Sequence, residues 1–423
     1  MCAKITVSDP VVVAQGPTVE EAGWGPFQFP FIRRTGDGSF LVNIHLGPDS
    51  LSEYGKDDLY YQSDDGGETW QKVSAKTAAP LSGTWCKDGS CLKILGHLSL
   101  PVENLELPTP LDWASTGIPI EGNIFYTLRH YYDLDQMGHI MKKKWDIQRR
   151  SPTGEVVITE ARLDFPGMTT WEELNTGLLA FPDPQVRMYE APDGSLWVPH
   201  YECCKNPETG GMSPYCDTYF LRSNDHGQSF QMVSWIQYQP NTKADPDAFW
   251  REGFDEGTMA WLPDGSIITL LRTDMEGPSY LVRSADGGLT WSEPKVFDKM
   301  GVMPCLCRLD CGVTLASYGR PGVFVRATSD PSGLEWDAPI EIISTKNRYL
   351  EINNPELIDP SVYRYKMQDQ FARTCRRGTC SYTGICPIDE RSALFVYSDF
   401  MYPAPDGKKR KSILCRKITV ENL

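Results

Sequence analysis

The sequence predicts an all-β fold, namely a six-bladed β-propeller of four-stranded antiparallel blades. Two short turn motifs recur along the chain, and each stands beside a run of alternating apolar residues that is typical of a strand. No long amphipathic helical pattern interrupts these repeats. Because radial repetition of small antiparallel sheets protects the strand edges, repeats of this kind favour a propeller.

The first motif reads S-x-D-x-G-x-T-W and predicts a tight turn at the end of a strand. Two copies, at Ser63–Trp70 and Ser284–Trp291, match in full. A looser copy spans Ser223–Phe230, and a decayed copy spans Ser329–Trp336. In such a turn the aspartate accepts backbone N–H bonds, the glycine permits a positive φ, and the tryptophan packs back onto the sheets.

The second motif is a D-G turn that enters a strand rich in β-branched residues. Its clear and weaker copies contain Asp37, Asp193, Asp264, Asp310 and Asp389. The gap between Asp37 and Asp193 is about twice the later spacings, so we expect one degenerate unit within it. Residues 120–160 are its predicted source, through strands at 123–128 and 145–150. The predicted number of units is then six.

The composition is that of a globular protein of 423 residues, 40% hydrophobic and 23% charged. This length allows two or three average domains or one large closed β architecture, and the repeats favour a single domain over residues 1–423. The chain carries 41 Lys and Arg against 56 Asp and Glu, a net charge of −15. Such a charge disfavours nucleic acid and anionic membranes as partners.

Targeting and metal-binding signals are absent from the sequence pattern. No apolar run is long enough for a transmembrane helix. The first ten residues lack the apolar core of a signal peptide, so we expect a cytoplasmic protein, or a secreted one if a leader has been trimmed. The thirteen cysteines are irregularly spaced and form no paired C-x-x-C, so we expect reduced thiols, no metal site and no cofactor.

The S-x-D-x-G-x-T-W turn is similar to the Asp-box of the sialidase (neuraminidase) superfamily, and the resemblance runs from about Phe27 to Phe400. It implies a propeller fold. Other propellers, including lyases and binding modules, carry the same turn, so its aspartates are expected to be structural. Function therefore has to be sought in residues near the propeller axis.

Four positions match the family's catalytic pattern residue by residue. The family uses a tyrosine nucleophile supported by a glutamate, and arginines that hold a substrate carboxylate. The resemblance places the glutamate at Glu256, in D-E-G-T-M-A-W, and an arginine sixteen residues later at Arg272. Arg320, in S-Y-G-R-P-G, is placed like a further arginine, and Tyr382, in S-Y-T-G-I, like the nucleophile. A neutral tyrosine suits this reaction because an anionic nucleophile would be repelled by the substrate carboxylate.

The general acid and one possible alternative base are less sharply placed. The resemblance puts the acid between the first strand and the first turn motif, where Glu53 stands. Asp49, Asp57 and Asp58 are nearby substitutes, and Asp58 is retained as a substrate-binding candidate. His200, after a strand that ends near one rim, is a further substrate-binding candidate and a possible base.

Two departures from the family pattern bear on the substrate. Gln28 stands where the family has its first arginine, and Ser398 stands where that arginine's glutamate partner is found. Replacing both members of this arginine–glutamate ion pair is physically consistent, because either residue without its partner would be a costly unpaired buried charge. Strand alternation allows at most one of Arg33 and Arg34 to face the axis as a replacement. The pattern predicts a rebuilt sugar subsite with weaker binding of sialic acid.

The preferred hypothesis is an exo-acting glycoside hydrolase that removes a terminal, acidic sugar from a glycan. Tyr382 would attack, Glu256 would take its proton, Glu53 would protonate the leaving oxygen, and Arg272 and Arg320 would bind the substrate anion. A polysaccharide lyase or non-sialic glycosidase in the same pocket remains the alternative enzyme, and a carbohydrate-binding propeller the non-enzymatic one. The oligomeric state stays open.

Overall fold

The fold is built mainly from antiparallel strands. The computed structural model describes the chain apart from residues 1–2, 19–20, 22–26, 46–55, 96–98, 116–118, 121–122, 125–127, 175–176, 181–186, 275–276, 346–377 and 423. The helical elements with described bounds are short: α1 (Ala75–Ala78) and the 3₁₀ turns Ala79–Leu81, Leu134–Gln136 and Ala248–Trp250. No helix in these described ranges is both long and apolar enough to span a membrane. The all-β class is confirmed.

The first sheet follows two N-terminal strands that pair elsewhere. The strands of this part are β1 (Lys4–Val7), β2 (Val11–Gln15), β3 (Phe29–Arg34), β4 (Phe40–His45), β5 (Leu59–Ser63) and β6 (Gln71–Val73). Strands β3 to β6 form a four-stranded antiparallel sheet in chain order, with Phe29 opposite His45 and Phe31 opposite Asn43. Alternation along β4 turns Val42 and Ile44 into a core that they share with the last sheet.

The region from residue 84 to 179 contains two sheets and a two-stranded ribbon. Its strands are β7 (Thr84–Trp85), β8 (Cys91–Leu95), β9 (Leu100–Pro101), β10 (Asp112–Ser115), β11 (Pro119–Ile120), β12 (Asn123–Ile124), β13 (Leu128–Asp133), β14 (Lys144–Arg150), β15 (Val156–Asp164), β16 (Thr169–Glu173) and β17 (Leu178–Leu179). Strands β7, β8, β14 and β15 form one antiparallel unit. A separate sheet has the order β10-β13-β16-β17-β9, and β11 pairs with β12.

The degenerate repeat was predicted only in part. Its predicted strand at 145–150 lies in β14 and belongs to the unit, as expected. The predicted strand at 123–128 does not: β12 pairs with β11, β13 lies in the separate sheet, and residues 125–127 fall outside the described ranges. The unit is instead entered by an overlooked turn of the second motif, in which the Ser90 backbone N–H donates to Asp88 Oδ1 at 2.8 Å.

The remaining strands continue the pattern of four-stranded antiparallel units. They are β18 (Tyr189–Glu190), β19 (Leu196–Glu202), β20 (Asp217–Ser223), β21 (Ser229–Ile236), β22 (Asp255–Trp261), β23 (Ile267–Arg272), β24 (Ser279–Ser284), β25 (Lys295–Asp298), β26 (Val302–Arg308), β27 (Thr314–Gly319), β28 (Val323–Thr328), β29 (Ile340–Ile343), β30 (Thr383–Pro387), β31 (Ser392–Pro403) and β32 (Lys409–Asn422). Strand β32 pairs with β31, β1 and β2, so both ends of the chain share one sheet. A parallel pairing joins β15 to β21.

Successive units pack against one another through shared apolar cores. Trp145 of β14 packs with Val198 of β19, Phe220 of β20 with Ile267 of β23, and Leu270 of β23 with Leu306 of β26. The sheet of β26 to β29 packs in turn on β31 and β32, and these pack on β4. This succession is what a propeller requires, and the number of blades stays a prediction.

The repeated S-x-D turns fold with the predicted hydrogen bonds. In the copy at Asp286, Oδ1 accepts the Ser284 hydroxyl at 2.7 Å and the Thr290 backbone N–H at 2.9 Å. The copy at Asp65 makes the equivalent bonds at 2.8 and 2.9 Å. These hydrogen bonds to the ionised form lower the pKa of both aspartates to about 2. The turns connect third to fourth strands, away from the residues described next.

Candidate active site

The candidate site is assembled at strand ends where the backbone departs from regular β geometry. Glu256 lies in an irregular stretch of β22 with φ 45°, and Met303 in a similar stretch of β26 with φ 43°. Arg320 (φ 69°), just after β27, and Ser381 (φ 68°), just before β30, also adopt the left-handed region. Such irregularities re-aim side chains and are frequent beside active sites.

Tyr382 and Glu256 form the centre of this site. The Tyr382 hydroxyl donates a hydrogen bond to Glu256 Oε1, and the other carboxylate oxygen, Oε2, accepts the Met303 backbone N–H at 2.6 Å. Glu256 is buried, whereas Tyr382 is only partly buried. The Phe29 ring meets the Tyr382 ring edge-on, with centroids 4.8 Å apart. The tyrosine is therefore held with its hydroxyl on a fixed carboxylate.

Arg272 joins this pair to a buried set of acids. Its Nη1 lies 2.6 Å from Glu256 Oε1 and 3.5 Å from the Tyr382 hydroxyl. Its Nε lies 3.7 Å from Asp255 Oδ1, and its Nη2 lies 3.8 Å from Glu252 Oε2. Burial lowers the pKa of Arg272, but Asp255 and Glu256 outweigh it and raise the pKa well above the usual value. The guanidinium stays charged and is largely engaged by the protein itself.

The pKa shift of the neighbouring Asp255 favours the neutral form of its carboxyl group, whereas that of Arg272 favours the charged form. Burial raises the pKa of Asp255 well above its usual range, and the nearby Glu256 and Glu252 add to the rise while Arg272 opposes it. Of the three guanidinium nitrogens of Arg272, Nη2 is the one without a hydrogen-bond partner among the described residues. The NH2 group at Nη2 is therefore what Arg272 can offer to a ligand.

Arg320 is less engaged. Its side chain is 3% exposed, and its Nη2 and Nε donate to the Cys380 carbonyl at 2.8 and 3.3 Å. Its guanidinium carbon lies 5.5 Å from the centre of the Tyr382 ring. In the described part of the chain no carboxylate pairs with it. A buried guanidinium with unused donors beside the tyrosine suits an anionic group of a ligand.

Gln28 and Ser398 lie buried at the edge of this site. Lys411 Nζ donates to Gln28 Oε1 at 3.1 Å, and Lys411 also lies 4.4 Å from the Phe400 ring centre. The Ser398 hydroxyl accepts the Cys380 backbone N–H at 3.3 Å. A lysine from β32 thus reaches the amide that stands at the family's first arginine position.

The other predicted site residues are placed as follows. Glu53 and Asp49 lie outside the described residues. Asp58 lies 2.7 Å from His45 Nδ1 and accepts the Asn43 side-chain amide at 3.1 Å, so it is held at the end of β4. Asp57 is exposed.

The substrate-binding prediction for His200 is not supported by its position. The His200 ring is 2% exposed and sits against Phe165 and Trp145, with centroids 5.9 and 6.5 Å apart. Burial lowers the pKa of His200 to about 4, which keeps the ring neutral. Alternation along β19 turns this side chain, like that of Val198, into the core that β19 shares with Trp145 of β14.

Comparisons with known proteins concern the fold. No protein-family model matches the chain, and no curated protein matches its sequence. A protein of unknown function from Dyadobacter fermentans is 15% identical, with a TM-score of 0.59 over 99% of both chains. An α-L-arabinanase of Penicillium chrysogenum (11% identity, TM-score 0.47, 97% of this chain and 98% of that one) is more distant. So is the NanB sialidase of Streptococcus pneumoniae (13%, 0.47, 97% and 71%). At such identities the likeness is one of fold alone.

Three residues near the site were not identified from the sequence. Tyr201 follows His200 and points the other way; burial raises its pKa well above the usual value, and the charges of Glu256 and Asp255 add to this. Met303 supplies the backbone N–H that holds Glu256. Arg187 donates to the Thr383 carbonyl at 3.2 Å, next to Tyr382. Strand alternation around His200 would have identified Tyr201, but no short motif marks Met303 or Arg187.

Proposed function

We propose that the chain is a six-bladed β-propeller that acts as an exo-acting glycoside hydrolase with Tyr382 as nucleophile. The observation that carries this proposal is the hydrogen bond from the Tyr382 hydroxyl to the buried carboxylate of Glu256. A tyrosine hydroxyl is a weak nucleophile at neutral pH, and a carboxylate within hydrogen-bond reach makes it effective by accepting its proton.

The proposed reaction assigns one role to each group. Tyr382 Oη attacks the anomeric carbon while its proton passes to Glu256 Oε1, and the bond to the leaving oxygen breaks as an acid, proposed to be Glu53, protonates that oxygen. Arg272, 2.6 Å from Glu256 Oε1, stabilises the negative charge shared by carboxylate and phenolate oxygens. Water then hydrolyses the glycosyl-enzyme bond: the former acid takes a proton from the attacking water, and Glu256 returns its proton to the departing Tyr382 oxygen.

The charged groups favour a terminal sugar with one anionic substituent. Arg320 has donors to spare, whereas Arg272 offers only Nη2. The position of the family's first arginine is filled by the Gln28 amide, whose oxygen is bound by Lys411. A full three-arginine clamp on a carboxylate is therefore replaced by a weaker one. Since one charge-assisted hydrogen bond contributes about 1.5–3 kcal/mol, ordinary α-sialosides should be poor substrates.

The test is the Tyr382→Phe variant on a panel of aryl glycosides that includes a sialoside, a uronide and an arabinofuranoside. We expect the wild-type chain to release the aryl group from one acidic substrate without forming an unsaturated sugar. Removing the hydroxyl should lower kcat by at least about a thousandfold, with little change in thermal stability, because the ring and its packing on Phe29 remain. Wild-type turnover by this variant would overturn the proposal.

A further inference from the structure

A cluster of two thiols and one carboxylate lies beside the candidate site and takes no part in the proposed reaction. Glu202 ends β19, Cys203 follows it, and Cys216 precedes β20. The carboxylate oxygen and the two sulfur atoms all lie within 4.8 Å of one another. Glu202 and Cys203 are buried, whereas Cys216 is partly exposed. The irregular cysteine spacing predicted no metal site, but folding brings these two cysteines together.

The three groups are held in place before any ligand binds. Glu202 Oε1 accepts the Tyr131 hydroxyl at 3.1 Å and the Cys203 backbone N–H at 3.0 Å. The Cys216 backbone donates to the Glu252 carbonyl at 2.8 Å and accepts the Phe254 N–H at 2.7 Å. Gly253 makes this approach possible, because a Cβ there would lie 2.1 Å from the Cys216 carbonyl oxygen and its φ is +124°.

The distance between the sulfur atoms suits a shared metal ion. Cys203 Sγ and Cys216 Sγ lie 3.7 Å apart. Two thiolates bound tetrahedrally to zinc at about 2.3 Å place their sulfurs about 3.8 Å apart. A disulfide requires about 2.05 Å, so it would demand a shift of both side chains. The carboxylate oxygen of Glu202 supplies a third ligand of a type that zinc accepts.

The formal charges of the cluster would nearly balance once a divalent cation is bound. The Arg129 guanidinium interacts electrostatically with the Glu202 carboxyl group. Arg129 is stacked on Trp171, 4.4 Å from the ring centre. Two thiolates and one carboxylate carry three negative charges; a divalent cation cancels two, and the nearby guanidinium offsets the third.

We propose that Glu202, Cys203 and Cys216 bind a thiophilic divalent metal ion, zinc by its chemistry, with a water molecule as fourth ligand. Binding would release the two thiol protons to solvent. The ion would tie the end of β19 and the start of β20 to residues 252–254, which lead directly into Asp255 and Glu256. Its role is therefore to hold that segment in place, and the inference stands whether or not the proposed hydrolase activity is found.

The experiment titrates the reduced, chelator-treated full chain with cobalt(II) and then with zinc. We expect one cobalt ion per chain, with a thiolate-to-cobalt charge-transfer band and the intense visible bands of a tetrahedral site, both removed by zinc. Zinc should raise the Tm of the wild-type chain. Cys203→Ser and Cys216→Ser should abolish the charge-transfer band or weaken cobalt binding by at least about tenfold. Cys311→Ser, which removes a partly buried thiol elsewhere, should bind cobalt normally.

Three results would overturn the inference, and two of them come from the wild-type chain. One is a cobalt titration of the wild-type chain without a thiolate band, and the other is a Cys203–Cys216 disulfide found by mass spectrometry in the chain as isolated under reducing conditions. If the cysteine variants do not fold, the Glu202→Gln variant tests whether the cluster binds the metal ion. It keeps the shape and the acceptor for Tyr131, and we expect it to retain the thiolate band but bind cobalt about 10–100-fold more weakly. Unchanged cobalt affinity in that variant would remove Glu202 from the site and refute the three-ligand proposal.

Discussion

Replacing Arg272 by methionine should lower the free energy of unfolding by about 3–5 kcal/mol, the cost of removing one partner from a buried ion pair. The guanidinium is 3% exposed and lies within 4.0 Å of Glu256, Asp255 and Glu252, so its loss leaves several acids without their cation. Methionine keeps much of the side-chain volume, which separates the charge effect from a cavity. The measurement is urea unfolding at pH 7 and pH 5.

The stability loss of the Arg272→Met variant should depend on pH in a definite direction. The pKa of Asp255 is already raised by burial, and removing Arg272 raises it further. An acid whose folded-state pKa lies above its unfolded value destabilises the fold as pH rises above the unfolded pKa of about 3.9. The variant should therefore lose less stability at pH 5 than at pH 7.

The matched control is Arg283→Met, which breaks an ion pair of 2.6 Å with the half-exposed Asp264. An exposed pair of this kind contributes about 0–1 kcal/mol. Equal losses in the Arg272 and Arg283 variants, or a loss from Arg272→Met that does not change with pH, would refute the reasoning from burial.

Two further predictions concern a structural turn and the substrate pocket. Because hydrogen bonds hold the pKa of Asp286 near 2, the stability it contributes is complete above about pH 4 and is lost as pH falls through about 2. Asp286→Asn should therefore melt below the wild-type Tm at pH 6, with the difference narrowing towards pH 3; a constant difference would contradict this. Gln28→Arg alone should not improve cleavage of an aryl sialoside, since the new cation would face Lys411 Nζ, which now lies 3.1 Å from the amide. Adding Ser398→Glu should do better than either single change, as judged by kcat/KM across the four variants, and equal values for the double and single variants would speak against a lost ion pair.

The strand content of the fold could be predicted because short-range chemistry determines it. The turns at Asp65 and Asp286 make their hydrogen bonds within six residues, so the local sequence carries nearly all of the information. The turn at Asp88 obeys the same rule and was overlooked because its strand is followed by an inserted sheet. Insertions break the spacing of a repeat without changing the turn itself.

Site contacts between distant parts of the chain were only partly predictable. The family pattern placed Glu256 and Tyr382 in one site, and the structure brings them into contact across 126 residues. No pattern links Lys411 to Gln28, which lie 383 residues apart and meet only because both chain ends share one sheet. The sequence did not determine which face His200 occupies, because a histidine near a strand end does not reveal the side of the sheet to which it points; the structure buries its ring against Phe165 and Trp145.

The backbone geometry at the site explains why the two-residue alternation of a strand does not predict the directions of its side chains. With strict alternation, the face to which Glu256 points would follow from the faces of its neighbours in β22. A register shift between Asp255 and Thr258 interrupts this alternation. The left-handed φ values of Glu256, Met303, Arg320 and Ser381 each cost about 1–3 kcal/mol relative to an ordinary strand conformation. Glycine would adopt them without this cost, so the side chains must contribute something glycine cannot. For Glu256 and Arg320 this is a carboxylate and a guanidinium directed at Tyr382, whose contacts hold the strained backbone in place.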